Sequence, residues 1–332
     1  MVRRIVPFVL TALILYGLAP AVLEVFGAWD EVDDLEPWWW LAVLGTQTGS
    51  LVCFVWLQRI SLERAGWFAV ATSNLAGGAL GRVVPGGAAT TAALQFRMLT
   101  QAGVRPGLVA TGLGAGSLLL IAALGALPVL TVPFVLGGLR VPETLAEAAV
   151  LGGAVFVALF ALGAVLFTGD GAIGGVGRVA RWVLRKVRRD QTLYADLPER
   201  LTARRDQIRG TLGERWPEAV AAALGRWILD FLTLVAALTA LDVRPNLALT
   251  LLAYVAAQLL AQVPLTPGGL GVVEAGMTAT LALAGVPAAA AAAATLTYRL
   301  ASYWLQLPAG LVAYVLHRRR FGGPPPSEVV PP

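Results

Sequence analysis

The tripeptide Pro-Gly-Gly occurs twice, at Pro85-Gly86-Gly87 and Pro267-Gly268-Gly269. Each copy is followed at the same offset by Ala-Gly-Val, at Ala102-Gly103-Val104 and Ala284-Gly285-Val286. Both copies interrupt strongly apolar sequence. Proline removes a backbone donor and glycine permits a tight reversal, so each copy breaks a helix. In a bilayer such a break is tolerated only where protein or a water-filled cavity surrounds the freed backbone. Two matched breaks therefore predict two related half-helix pairs around a polar site, in a membrane protein built from repeats.

Composition agrees. The 332 residues are 57% hydrophobic and 14% charged, with a mean hydropathy of +0.73, whereas soluble domains carry about 25% charged residues. The net charge of +5 resides in short flanks of apolar runs and one connecting segment, the distribution expected of topology signals rather than of a nucleic-acid partner. Cys53 is the sole cysteine and His317 the sole histidine. An intrachain disulfide and a thiolate metal cluster are thereby excluded, and neither Ser-His or Cys-His catalysis nor a metal or cofactor is expected.

The expected fold is all-α and polytopic, with about six full spans near 5–27, 38–57, 107–136, 144–167, 218–241 and 288–316, each close to or above the ~20 residues a bilayer requires. The first run reads as a span rather than a cleaved leader, because it is long enough to cross and a second span follows at once. Broken segments at 66–101 and 247–286 complete the membrane domain of residues 1–320; residues 321–332, rich in proline, form a disordered tail. Arg3 and Arg4 place the N-terminus in the cytoplasm. The basic segment 169–217 and His317-Arg318-Arg319-Arg320 then also fall inside. These charges close consistently only if the two broken segments enter from opposite faces, so that repeats at about 38–136 and 220–316 are inverted in topology. Re-entrant hairpins are preferred to eight crossings, since 247–262 is short for a crossing.

Charges inside apolar runs identify candidate site residues, each costing about 2.5–3.5 kcal/mol at a helix centre unless partnered. Arg226 and Asp230 share one helical face at i, i+4 and read first as a structural ion pair, second as a relay. Thr295, Arg299, Ser302 and Gln306 form one stripe that must face the interior, flanked by Tyr298 and Tyr303. Glu274 follows the second break in the first turn of a half-helix. Capping is one reading there and coupling to a proton or an amine the other. Arg82 precedes the first break and is placed to reach an anionic group, whereas Arg97 is interfacial. The backbone of Pro85, Gly86, Gly87, Pro267, Gly268, Gly269 and Gly271 completes the expected binding set. The amides of Asn74, Gln95, Gln258 and Gln262 support it.

The run Gln262-Val-Pro-Leu-Thr-Pro-Gly-Gly-Leu-Gly-Val-Val-Glu-Ala-Gly276 resembles the Pro-x-x-Pro-Gly-Gly-x-Gly-x-Arg-Glu signature of the lysylphosphatidylglycerol synthase transmembrane region, the flippase-like membrane protein family. Arg82-Val-Val-Pro-Gly-Gly and its continuation to Leu99 are similar to the family's first motif, and Tyr298-Arg299 to the Tyr-Arg of its last span. Val273 stands where the family pattern has Arg, so the adjacent Arg-Glu pair is absent, and Thr90 stands where an acidic residue is common. The resemblance implies lipid handling without the soluble aminoacyltransferase domain of the two-domain synthases.

Three functions compete. A flippase-like transporter would move a lipid or lipid-linked headgroup between leaflets of the cell membrane, with arginines holding phosphate and no enzymatic step. An accessory subunit would hold a lipid-synthesis or glycosyltransferase enzyme in the membrane. A lipid-phosphate transferase would need Glu274 or Asp230 as base, and neither has an evident second carboxylate.

Overall fold

Prolines and apolar runs set where the helices begin. Pro37, Pro106 and Pro217 lie in the first turns of three long helices, where a missing amide hydrogen leaves no bond unmade. In the computed structural model, which describes residues 36–63, 65–84, 87–137, 142, 215–262 and 266–322, all regular structure is helical. The helices are α1 (Pro37–Ser61), α2 (Trp67–Val83), α3 (Gly87–Gln101) and α4 (Pro106–Ala126), the last running through a 3-10 turn (Leu127–Thr131) into α5 (Val132–Leu136). After the undescribed connection come α6 (Trp216–Ala240), α7 (Leu247–Ala261), a 3-10 turn (Pro267–Gly269), α8 (Val272–Leu283) and α9 (Ala288–Arg299). A π-helical turn (Leu300–Trp304) then leads into α10 (Gln306–Phe321). The expected spans 5–27 and 144–167, nearly all of 169–217, Pro85, Gly86 and the tail lie outside the described residues.

The protein is an all-helical, polytopic membrane protein. Pro37–Ser61, Pro106–Phe134 and Trp216–Ala240 are each long and apolar enough to cross a bilayer, and Leu247–Ala261 and Val272–Leu283 are shorter apolar helices. One expected span differs. Residues 288–316 are not a single regular helix, because Leu300–Trp304 shifts to i→i+5 bonding, with Leu305 N–H donating to the Leu300 carbonyl at 3.0 Å, and the helix beyond continues to Phe321. Such turns insert one residue and rotate the downstream helix about its axis.

α1 and α6 are both 25 residues long and lie antiparallel along their length. Thr46 meets Thr233 at 2.9 Å, the Ser50 hydroxyl donates to the Arg226 carbonyl at 2.8 Å, and methyls on Gly49 and Gly225 would sit 3.1 Å from Leu229 and 3.0 Å from Cys53. As numbers rise in one helix they fall in the other. Each leads through a turn with a positive-φ acidic residue, Glu63 (φ 38) or Asp242 (φ 56), into a broken helix that folds back on itself. Each broken pair then ends at a glycine of φ near 90, Gly103 or Gly285.

α2 and α3 form the first hairpin, with α2 lying along α10. Their junction is close: a Cβ on Gly81 would lie 2.6 Å from the Gly87 carbonyl, and the Thr91 hydroxyl donates to the Gly77 carbonyl at 3.0 Å. Small residues permit this approach where lipid supplies no hydrophobic drive between helices. α7 and α8 form the second hairpin. The larger apolar core joins α6, α7, α8 and α9 around Leu234, Tyr254, Met277 and Tyr298.

Candidate functional site

The last turn of α2 and the second Pro-Gly-Gly turn converge on the irregular middle of the α9–α10 unit. From Ala288 to Phe321 that unit is about 50 Å long at 1.5 Å per residue, and Leu300–Trp304 lies near its centre. From the first hairpin, Arg82 in the last turn of α2 donates to the Ser302 carbonyl at 3.3 Å and to Gln306 Oε1. From the second, Gly268 (φ 62) sits against the same place, where a Cβ would lie 2.5 Å from the Arg82 carbonyl and 2.7 Å from the Tyr303 ring. Gly268 is thus required both for its left-handed backbone and for lack of a side chain. The Tyr303 hydroxyl closes the contact, donating to the Arg82 carbonyl at 3.1 Å.

Arg299 and Glu274 are paired at this junction. Arg299 Nε donates to Glu274 Oε1 at 2.6 Å, Nη2 donates to the Gly268 carbonyl at 3.3 Å, and the guanidinium lies 4.4 Å from the centre of the Tyr303 ring. Both side chains are about 10% exposed, so removing either one leaves the other buried without its partner. Of the two readings of Glu274, capping finds no bond among the described residues, since Oε1 is taken by Arg299 and Oε2 has no partner. The Arg-Glu pair that the sequence lacks between neighbours is therefore built across helices. Glu274 Oε2 and Gln306 Nε2 remain buried with no hydrogen-bond partner among the described residues.

A second polar cluster surrounds Asp230. Arg226 Nη1 donates to Oδ1 at 2.6 Å and also reaches the Ser50 hydroxyl. Tyr254 (2.7 Å), Tyr298 (2.6 Å) and Gln258 (3.1 Å) all donate to Oδ2. The carboxylate is fully buried and receives one bond on Oδ1 and three on Oδ2, a densely connected polar network.

The pattern of a family of known sequences, the lysylphosphatidylglycerol synthase TM region, matches residues 5–310. The chain belongs to that family. A UPF0104 membrane protein of Methanothermobacter thermautotrophicus is 34% identical over 87 residues, a match spanning 26% of this chain and 26% of that protein. No solved structure matches. In this member of the lysylphosphatidylglycerol synthase TM family, Arg82, Gly268, Glu274, Arg299, Ser302 and Gln306 come together. Thr295 is buried one turn away and 3.4 Å from Thr278. Gly87 and Gly271 shape the two turns, Gly269 (φ 72) and Gly271 (φ 76) through positive φ, and Pro267 opens the second. Gln258 joins the Asp230 cluster instead, Gln262 is exposed, and Pro85 and Gly86 lie outside the described residues.

Sequence reasoning missed the contribution of α1. Gln47, Ser50, Gln58 and Ser61 are all buried. Both polar atoms of the Gln47 side chain, Oε1 of Gln58 and Nδ2 of Asn74 lack a partner among the described residues. Gln58 donates to Gln95 at a long 3.4 Å. The signal was present as polar residues at spacings of three, eight and three, which keep one helical face. Among the described residues no three His, Cys, Asp or Glu side chains assemble as a metal site.

Proposed function

We propose that this chain moves a lipid or lipid-linked headgroup across the cell membrane through the junction of its two broken hairpins. The observation that carries the reading is the Arg299–Glu274 pair, made between two helices against a Pro-Gly-Gly carbonyl, with Arg82 of the opposite hairpin bonded to the next turn of the same helix. Ionisable side chains inside a membrane protein are costly and mark substrate or ion pathways. The unpartnered Glu274 Oε2 and Gln306 Nε2 offer an acceptor and a donor to a passing headgroup. A phosphate would be taken by Arg82 and Arg299, which exchange their protein acceptors for it.

The inverted repeats follow in this reading from the antiparallel packing of α1 and α6. Re-entrant hairpins follow from turns that stop near the middle of a 50 Å unit, about halfway along it. Both termini are assigned to the cytoplasm, and transport is assigned in preference to catalysis. An anionic or lipid-linked phosphate is the expected cargo.

The test is reconstitution of the pure protein in liposomes with a fluorescent phospholipid in both leaflets. Dithionite quenching of most of the label beyond the outer half supports transport, provided Glu274→Gln and Arg299→Ala return it to the protein-free level. Wild-type protein that leaves the inner leaflet unquenched counts against it. Formation of a new lipid product would indicate a transferase, and activity only on adding a lipid-synthesis or glycosyltransferase enzyme would favour the accessory role.

A further inference from the structure

A cavity of about 290 Å³ opens between α3 and α10, away from the Pro-Gly-Gly junction. α3 lines it with Arg97, Met98 and Gln101, and α10 with Tyr314, His317 and Arg318. Its wall is fixed. The buried His317 ring has Nε2 donating to the Met98 carbonyl at 3.0 Å and Nδ1 bonded to the Thr72 hydroxyl at 2.7 Å, tying α10 to both α3 and α2. Further along, a Cβ on Gly310 would lie 2.6 Å from the Leu75 carbonyl, so α10 is seated directly on α2.

The two cations that line the cavity are in no ion pair among the described residues. Arg97 and Arg318 are exposed, and no carboxylate among the described residues is within ion-pairing distance of either. Arg320, by contrast, is occupied over Phe68 at 4.8 Å. Two guanidinium forks across a small cavity match the oxygens of a phosphate group, and Gln101 and Tyr314 add neutral donors. The volume is at the low end for ligand sites and suits a headgroup rather than an acyl chain. The arginines in the last turn of α10, Arg318, Arg319 and Arg320, assign this end to the inner interface, where phospholipid phosphates lie.

We propose that the cavity between α3 and α10 binds a phosphate-bearing group, held between Arg97 and Arg318 at the inner membrane interface. The site stands independently of the transport reading, because its evidence and its test concern binding alone.

The test titrates the full chain in neutral detergent with dihexanoyl phosphatidylglycerol and, separately, with inorganic phosphate, followed by calorimetry. R97Q/R318Q should weaken binding at least tenfold. R105Q/R319Q, which removes the same charge from exposed arginines that do not line the cavity, should stay within twofold. Binding of the lipid alone identifies a membrane headgroup as the source, and equal binding of inorganic phosphate identifies a soluble one. All four side chains are exposed, and unchanged melting of both variants checks the fold. The proposal is overturned if wild-type protein binds neither probe, if R97Q/R318Q binds as wild type does, or if both variants lose affinity equally, which would indicate diffuse charge.

Discussion

The two hairpins share a backbone plan and differ in charge. Pro267 minus Pro85 and Gly285 minus Gly103 both give 182 positions, so Glu274 and Arg299 correspond to Ala92 and Ser117. Both of these are exposed, and Ser117 bonds, among the described residues, only to the Leu113 carbonyl of its own helix at 2.8 Å. Along α1 and α6, counted from their first residues, Arg226 corresponds to Gln47 and Asp230 to Leu51. Among the described residues the second half thus carries both buried ion pairs and the first carries amides, lending one cation, Arg82, across the interface. Matching helix breaks therefore do not oblige the two hairpins to keep the same chemistry at the break.

The largest expected effect is all-or-none. In a Cys53→Ala background, Gly103→Cys should label with an impermeant thiol reagent from the cytoplasmic face only, and Gly285→Cys from the opposite face only; labelling from one shared face would dissolve the inverted relation. Next come the ion pairs. Arg299→Ala and Asp230→Ala each strand a buried partner and should cost about 3–5 kcal/mol, read as a large drop in the detergent melting temperature. The double variant Glu274→Ala/Arg299→Ala should recover part of that stability but no translocation. At the position 182 residues before Arg299, Ser117→Ala should change stability by no more than about 0.5 kcal/mol.

Gly268→Ala should then cost about 1–3 kcal/mol from its left-handed backbone, with a further loss from contact with Arg82 and Tyr303. Gly103→Ala and Gly285→Ala give the finest comparison. Their φ values are 88 and 90, and a Cβ on either meets nothing within 4 Å. Each should cost about 1–2 kcal/mol, and the two should be nearly equal; a marked difference would show that the turns are not equivalent.

Much of this was legible along the chain. Hydropathy gave the helices, the Pro-Gly-Gly copies gave the breaks, and i, i+4 spacing gave the Arg226–Asp230 bond, because each depends on residues within a turn or two of one another. The stripe of Thr295, Arg299 and Gln306 was also recoverable, although the π turn inside it was not: a change from four- to five-residue bonding is settled by what the helix packs against.

By itself the sequence determined that this protein is helical, lies in a membrane, breaks twice in matching places and turns its intramembrane charges inward. Tertiary structure alone decided that Glu274 pairs with Arg299, that Tyr254 and Tyr298 converge on Asp230, that Arg82 crosses to the other hairpin, and that Arg97 and Arg318 face one cavity. The reason is geometric. Periodicity along one helix specifies which face a side chain occupies, while the partner it meets there depends on the register and angle at which a second helix, distant in the chain, is packed.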